Sequence, residues 1–263
     1  MAFDIRDHTD RASAITPDDV DPAAFHDQPL SLHTIRCLVY FRNVERNTIR
    51  HLRDLLVTPS HTDPVVTEFL TGWAYQEFWL GETLDAIIAQ HQHRHAYQPS
   101  ATTGQRIVRE IRDRIAPARQ ALLANLIGED FVAIHMAWAY LDTCLTGAEY
   151  RNTVDREDHP HLTAILRRAG NLKDAHRDFY AGQAVARLGI SFRARTLTRQ
   201  ALTYLWKPPG AAIHHRGETR FVLTYLFDGD QAHSLDKTLD TMPGLERLRI
   251  VSSAMATFGV IRS

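Results

Sequence analysis

The sequence predicts an all-α fold, on three observations. Apolar residues recur at three- and four-residue steps through several long stretches, the spacing of one helix face. Alternating strand patterns of useful length are absent, and no internal repeat is found. Proline, glycine and capping residues fall where the apolar period stops. The chain has 263 residues, 44% of them hydrophobic, enough to bury a sizeable core.

Charge and composition narrow the function classes. A formal net charge of -1 gives no electrostatic footprint for nucleic acid or an anionic membrane surface. Apolar runs fall short of the ~18–20 residues that span a bilayer. The stretch from Met1 to Pro29 mixes Asp, Arg and His and lacks the apolar centre of a signal peptide. Cys37 and Cys144 lie inside apolar helical patterns, outside any CxxC or zinc-ligand spacing. They read as small buried hydrophobes in a reducing compartment. A cytoplasmic protein with a small-molecule partner is the expectation.

Residues 1–27 form an arm with turn and cap signals, Thr16-Pro17-Asp18-Asp19 and Asp21-Pro22. A first long helix is expected from about Ser31 to Leu56, with Ile35, Leu38, Phe41, Val44, Ile49 and Leu52 on its apolar side. Glu45 interrupts that side. Asp63 and Pro64 supply the cap and first turn of a second helix, which carries Phe69, Trp73, Phe78, Leu80 and Leu84 and holds Glu77 in its aromatic middle. The histidine-rich run from Gln90 to His95 reads as a solvated loop, since every-second-residue spacing cannot share one helix face. Polar helices are expected from Gly104 to Ile115 and from Pro117 to Ile127.

A third core helix follows Gly128-Glu129-Asp130 and extends to Tyr150. Pro160 opens the fourth, which runs to Leu188. Further helices are expected at Phe192–Trp206, Thr219–Phe227, Gln231–Leu239 and Leu245–Phe258. These divide the chain into an arm (1–27), a helical bundle (28–188) and C-terminal helices (189–263) that pack on the bundle.

Chemistry concentrates where charge enters apolar helices. Lys173 and His176 stand three residues apart and so share a helix face. In four-helix carboxylate proteins a Glu-x-x-His pair with that spacing binds one of two metal ions. Here lysine fills the glutamate position, and a cation cannot ligate a cation.

Four segments carry a resemblance to a known family. Glu45 lies in Val44-Glu45-Arg46-Asn47-Thr48-Ile49. The run from Trp73 to Glu82 contains Glu77 and Leu80, three apart. Trp138-Ala139-Tyr140-Leu141-Asp142-Thr143 precedes Tyr150-Arg151 and His159-Pro160. Lys173, His176 and Phe179-Tyr180 complete the set. Over about Glu45 to Tyr180 the chain resembles the ferritin-like superfamily, especially bacterial acyl-carrier-protein desaturases and di-iron oxygenases.

The resemblance implies a ferritin-like four-helix bundle with additional C-terminal helices, paired as a homodimer. It also implies six ligand positions. Glu45, Glu77 and His176 match them, while Leu80, Thr143 and Lys173 replace the other three; a shift of register on the third helix would bring Asp142 or Glu149 instead. Some ribonucleotide reductase subunits of this superfamily have exchanged a ligand for lysine and hold no metal.

Charge counting agrees with such an exchange. Two carboxylates opposed by one lysine carry a net charge of -1 when His176 is neutral and zero when it is protonated. The expectation is a cofactor-independent enzyme of small-molecule metabolism, with biosynthesis a natural setting. Its chemistry would be acid–base: cyclisation, isomerisation or elimination. Glu45 or Glu77 would be the base, His176 a proton shuttle, Lys173 the stabiliser of an oxyanion, and Thr143 a hydrogen-bond donor. Trp73, Tyr75, Trp79, Leu80, Trp138, Tyr140 and Phe179 would line the substrate cavity. The alternatives are an oxygen-dependent oxidoreductase binding iron through Glu45, Glu77 and His176, and a non-catalytic binding or dimerisation protein.

Overall fold

Three of the four longest helices begin where the sequence supplies a capping side chain. The computed structural model describes residues 14–91 and 127–261, and regular structure among them is helical, without strands. After a 3-10 turn at Pro17–Asp19 come α1 (Pro22–Asp27), α2 (Leu32–Arg46) and α3 (Thr48–Leu55). A second 3-10 turn, Pro59–Thr62, leads to α4 (Pro64–Ala89). Then follow α5 (Asp130–Val154), α6 (Pro160–Ile190), α7 (Phe192–Leu205), α8 (Arg216–Leu226), α9 (Gly229–Lys237) and α10 (Ile250–Thr257). Ser31 caps α2 through the Thr34 amide, and Asp63 accepts from the Val65 and Val66 amides at the start of α4. His159 caps α6 ahead of Pro160, and Ser191 caps α7. Each such cap is worth about 1 kcal/mol.

Three expectations are corrected. The single helix expected from Ser31 to Leu56 is two, because the Asn47 amide bonds back to Val44 one residue early and tightens the turn between α2 and α3. The last helix starts at Ile250 rather than Leu245, since Gly244 and Arg247 both take positive φ, 81° and 63°, which a helix cannot continue through. His91 is not solvated: it is buried, its Nε2 accepts from the Leu30 amide at 3.1 Å, and it lies edge-on to Phe25. The rest of the histidine-rich run, Gln92 to His95, and the polar helices expected over 104–126 lie outside the described residues.

α2 packs closely on α4, and α5 on α6. Glycines sit at both contacts. A side chain on Gly81 would meet Arg46 Cγ at 3.3 Å and Glu45 Cβ at 3.4 Å, and one on Gly147 would meet Lys173 Cβ at 3.3 Å. The outer edge of the α2–α4 pair is tied by Arg42 to Asp85 and by Arg46 to Glu82 and Asp85. The N-terminal arm docks on the bundle. Ile15 and Phe25 are buried, Phe25 stacks on His159, and Asp19 forms a two-pronged ion pair with Arg168.

The C-terminal helices complete the core. α7 packs on α5, and α8 reaches α2 through the two-pronged Arg36–Glu218 pair at 2.7 and 2.8 Å. Asp236 of α9 accepts from the Val251 and Ser252 amides and so caps α10 from a distance. Among the described residues no helix is long and apolar enough to cross a membrane.

One turn depends on a single glycine. Gly210 has φ of 85°, and a Cβ there would fall 2.4 Å from the Tyr40 ring, whose hydroxyl donates to the Pro209 carbonyl at 2.6 Å. Gly210→Ala combines left-handed strain with a steric clash and is expected to cost about 2–4 kcal/mol. Chemical denaturation checks this; a loss below about 0.5 kcal/mol would mean the turn relaxes freely.

Candidate functional site

A buried polar cluster lies where the four longest helices meet. α2 supplies Glu45, α4 supplies Gln76 and Glu77, α5 supplies Glu149 and Tyr150, and α6 supplies Lys173 and His176. None of the seven is more than 4% exposed. The α6 pair shares a face because a three-residue step is nearly one helical turn. Glu45 ends α2 just before the Asn47 turn, so its side chain is carried inward at the depth of Glu77.

Lys173 is the centre. Its Nζ lies 2.5 Å from Glu77 Oε2 and 3.0–3.1 Å from the two oxygens of Glu45. The Tyr150 hydroxyl donates to Glu45 Oε1 at 2.6 Å. His176 Nε2 meets Gln76 Oε1 at 2.7 Å, and its Nδ1 lies 3.2 Å from Glu77 Oε1. With Nε2 donating to Gln76, neutral His176 turns its Nδ1 lone pair toward a carboxylate oxygen. The opposite tautomer, with the Gln76 amide turned so that its nitrogen donates to Nε2, leaves Nδ1–H to donate to Glu77, and no further proton is needed.

Burial sets the protonation of the cluster. It raises Glu45 to about 8, with Glu77 adding to the rise while Lys173 and Tyr150 oppose it. Glu149 is pushed well above the carboxylate range by burial and by Glu45, and its Oε1 has no hydrogen-bond partner among the described residues. His176 is lowered to about 3 by burial and by the Lys173 ammonium. Burial works against the charge on Lys173 as well, yet Glu45 and Glu77 together raise its affinity for its proton. One cation among three buried carboxyls leaves a negative excess, which the fold answers by retaining protons.

The structure brings together Glu45, Glu77, Lys173 and His176, the four polar candidates on α2, α4 and α6. Thr143 is buried on α5 but makes no side-chain hydrogen bond to them among the described residues. Asp142 faces elsewhere: its Oδ1 accepts from Trp206 Nε1 at 2.7 Å, and burial raises it to about 7. The α5 contribution is therefore Tyr150 and Glu149. Sequence reasoning kept Glu149 as an alternative and missed both Tyr150 and Gln76. Tyr150 stood in a quoted motif, and Gln76 is a polar residue beside Glu77 in an apolar stretch; those were the available signals.

The expected aromatic lining disperses. Tyr75 is 57% exposed on the outer side of α4 and cannot donate into the cluster. Trp73, Trp79 and Trp138 are half-buried. The Tyr140 hydroxyl donates to the Thr238 carbonyl at 3.3 Å. Phe179 stacks on Phe69 at 3.7 Å between ring centres, and Phe69 meets His176 edge-on. Leu80 is fully buried. These are core contacts.

The donor set does not fit a metal ion. Among the described residues no group of three or more His, Cys, Asp or Glu side chains is arranged to hold one. The Lys173 ammonium holds the carboxylate oxygens that a cation would need.

Fold and site define an all-α protein with a lysine-bridged carboxylate cluster at its centre. No family model matches the chain, and neither the curated proteins nor the solved structures compared with it gave a match.

Proposed function

We propose that the chain is a ferritin-like four-helix bundle whose former metal position is taken by Lys173, and that the cluster performs acid–base chemistry on a small molecule without a cofactor. The observation that carries this reading is the Lys173 ammonium bridging Glu45 and Glu77 beside His176. Strongly shifted proton affinities in one cluster are a mark of acid–base sites. Glu45, titrating near 8, exchanges protons within reach of neutral pH. Glu45 or Glu77 takes the proton, His176 relays it, and the Lys173 ammonium stabilises an oxyanion or enolate as it forms. Cyclisation, isomerisation and elimination need only these steps.

A second reading, a non-catalytic core that only orders the helices, is favoured by two observations. The cluster is almost fully buried, and an open cavity of about 470 Å³ lies on the outer surface instead, beside His33 and Tyr225. One experiment separates the two readings. Chelator-treated protein is incubated with a metabolite extract, and compounds consumed or formed are compared among wild type, Lys173→Met and Glu77→Gln. A compound turned over by wild type and by neither variant, with both variants folded, supports the acid–base site. Turnover retained by both variants, or no turnover at all, supports the structural core.

A further inference from the structure

The outer cavity has a chemistry of its own, independent of the buried cluster. It lies between the first turns of α2, the end of α5 and one face of α8. Phe221 and Tyr225, four apart on α8, stack in parallel at 5.7 Å. His33 of α2 stacks on both, at 5.7 and 5.4 Å and within 26° of parallel. Three nearly parallel rings thus form a small offset stack at the wall of the cavity. Phe221 is fixed from another side by the Arg36 guanidinium, 3.7 Å from its ring centre, and Glu218 holds that guanidinium in turn.

Two further guanidiniums edge the cavity. Arg156 lies 5.4 Å from the Tyr225 ring centre, and Arg220 lines the same cavity with its guanidinium near Gly259. Both are exposed, and neither forms an ion pair among the described residues. Thr224 adds a hydroxyl and Gly217 an open stretch of backbone.

We infer that this groove binds a phosphate monoester that also carries an aromatic ring, of which a nucleoside monophosphate is the common form. The ring stack can be extended by a flat base, and the two guanidiniums match a phosphate dianion by charge. A single carboxylate would leave half of that positive charge unanswered. The cavity volume, about 470 Å³, lies within the usual range for small-molecule sites of ~300–1,000 Å³.

Calorimetric titration of the full chain with AMP, phenyl phosphate, adenosine and inorganic phosphate tests the inference. AMP is expected to bind with a Kd at or below about 1 mM, with adenosine and phosphate each at least about tenfold weaker. The Arg156→Ala/Arg220→Ala variant, altered at two exposed positions, should lose about tenfold or more in AMP affinity. Tyr225→Leu should weaken AMP and leave phosphate binding unchanged. Absence of saturable binding by both AMP and phenyl phosphate would overturn the inference. Phosphate binding as tight as AMP would also overturn it, as would AMP affinity that the double variant leaves intact.

Discussion

Replacing Lys173 by methionine is expected to lower stability by about 3–5 kcal/mol at pH 8 and by much less at pH 5. Methionine nearly matches the lysine stem in volume, so the change removes the ammonium and little packing. Glu45 and Glu77 are then left facing each other in a site from which water is excluded. At pH 8 the fold must either hold two uncompensated charges or take protons from solvent against the pH. At pH 5 those protons cost little, so the penalty shrinks. Urea denaturation at the two pH values reads the difference directly. An equal loss at both would mean that packing, and not charge, is what Lys173 supplies. Replacing the whole set in Glu45→Leu/Glu77→Leu/Lys173→Met should recover most of the loss, because well-packed apolar residues commonly match or exceed a buried ion cluster in stability.

Thermal stability is expected to be bell-shaped in pH, with its maximum between about pH 4.5 and 6.5. His176 and His135 titrate near 3 in the fold, against an ordinary value of 6.5. Their stabilising effect is complete above pH 6.5 and is lost as pH falls, because the unfolded chain takes up the protons first. Glu45 and Glu149 work in the opposite sense. Their folded values lie above the ordinary 4.5, Glu45 at about 8. Their effect is complete below pH 4.5 and is lost as pH rises, because the unfolded chain releases protons that the fold retains.

Glu149 offers the clean test, since its Oε1 has no hydrogen-bond partner and it makes no ion pair among the described residues. Glu149→Gln keeps the shape and removes the titration. Melting curves from pH 4 to 9 should show its alkaline flank flattened, with a gain of about 1–3 kcal/mol at pH 8 and little change at pH 5. A profile superimposable on wild type would show that Glu149 keeps its charge in the fold.

How much of the site was legible depended on the helix that carried each residue. Glu45 and Glu77 stood out as charges inside apolar stripes, and Lys173 and His176 shared a face by spacing alone. Helix α5 gave no such guidance. Its buried residues run almost all round it, from Val132 to Thr153, so periodicity cannot say which side meets the cluster. Thr143, Asp142 and Glu149 were indistinguishable on that ground. Packing decided: Gly147 lets α6 approach beside Lys173, Tyr150 reaches Glu45, and Asp142 goes to Trp206.

The expected aromatic cavity failed for a related reason. Hydrophobic type is visible in sequence, but whether a ring lines a void or fills a core depends on neighbours far along the chain. Phe179 finds Phe69, more than a hundred residues away in sequence, and Tyr75 turns outward. The surface groove was invisible likewise, since His33, Arg156 and Tyr225 belong to three distant segments that only the fold assembles.

What the sequence by itself determined was local: helical periodicity, caps at Ser31, Asp63, His159 and Ser191, and a lysine one turn from a histidine. These follow from interactions within a few residues, and one chain contains all the terms. What only the tertiary structure decided was which charges meet, and in which protonation state. Lys173 between Glu45 and Glu77, the protons kept on Glu45 and Glu149, and the neutral His176 all arise from burial and from contacts between helices. Those energies depend on distance and desolvation, which no spacing along the chain records.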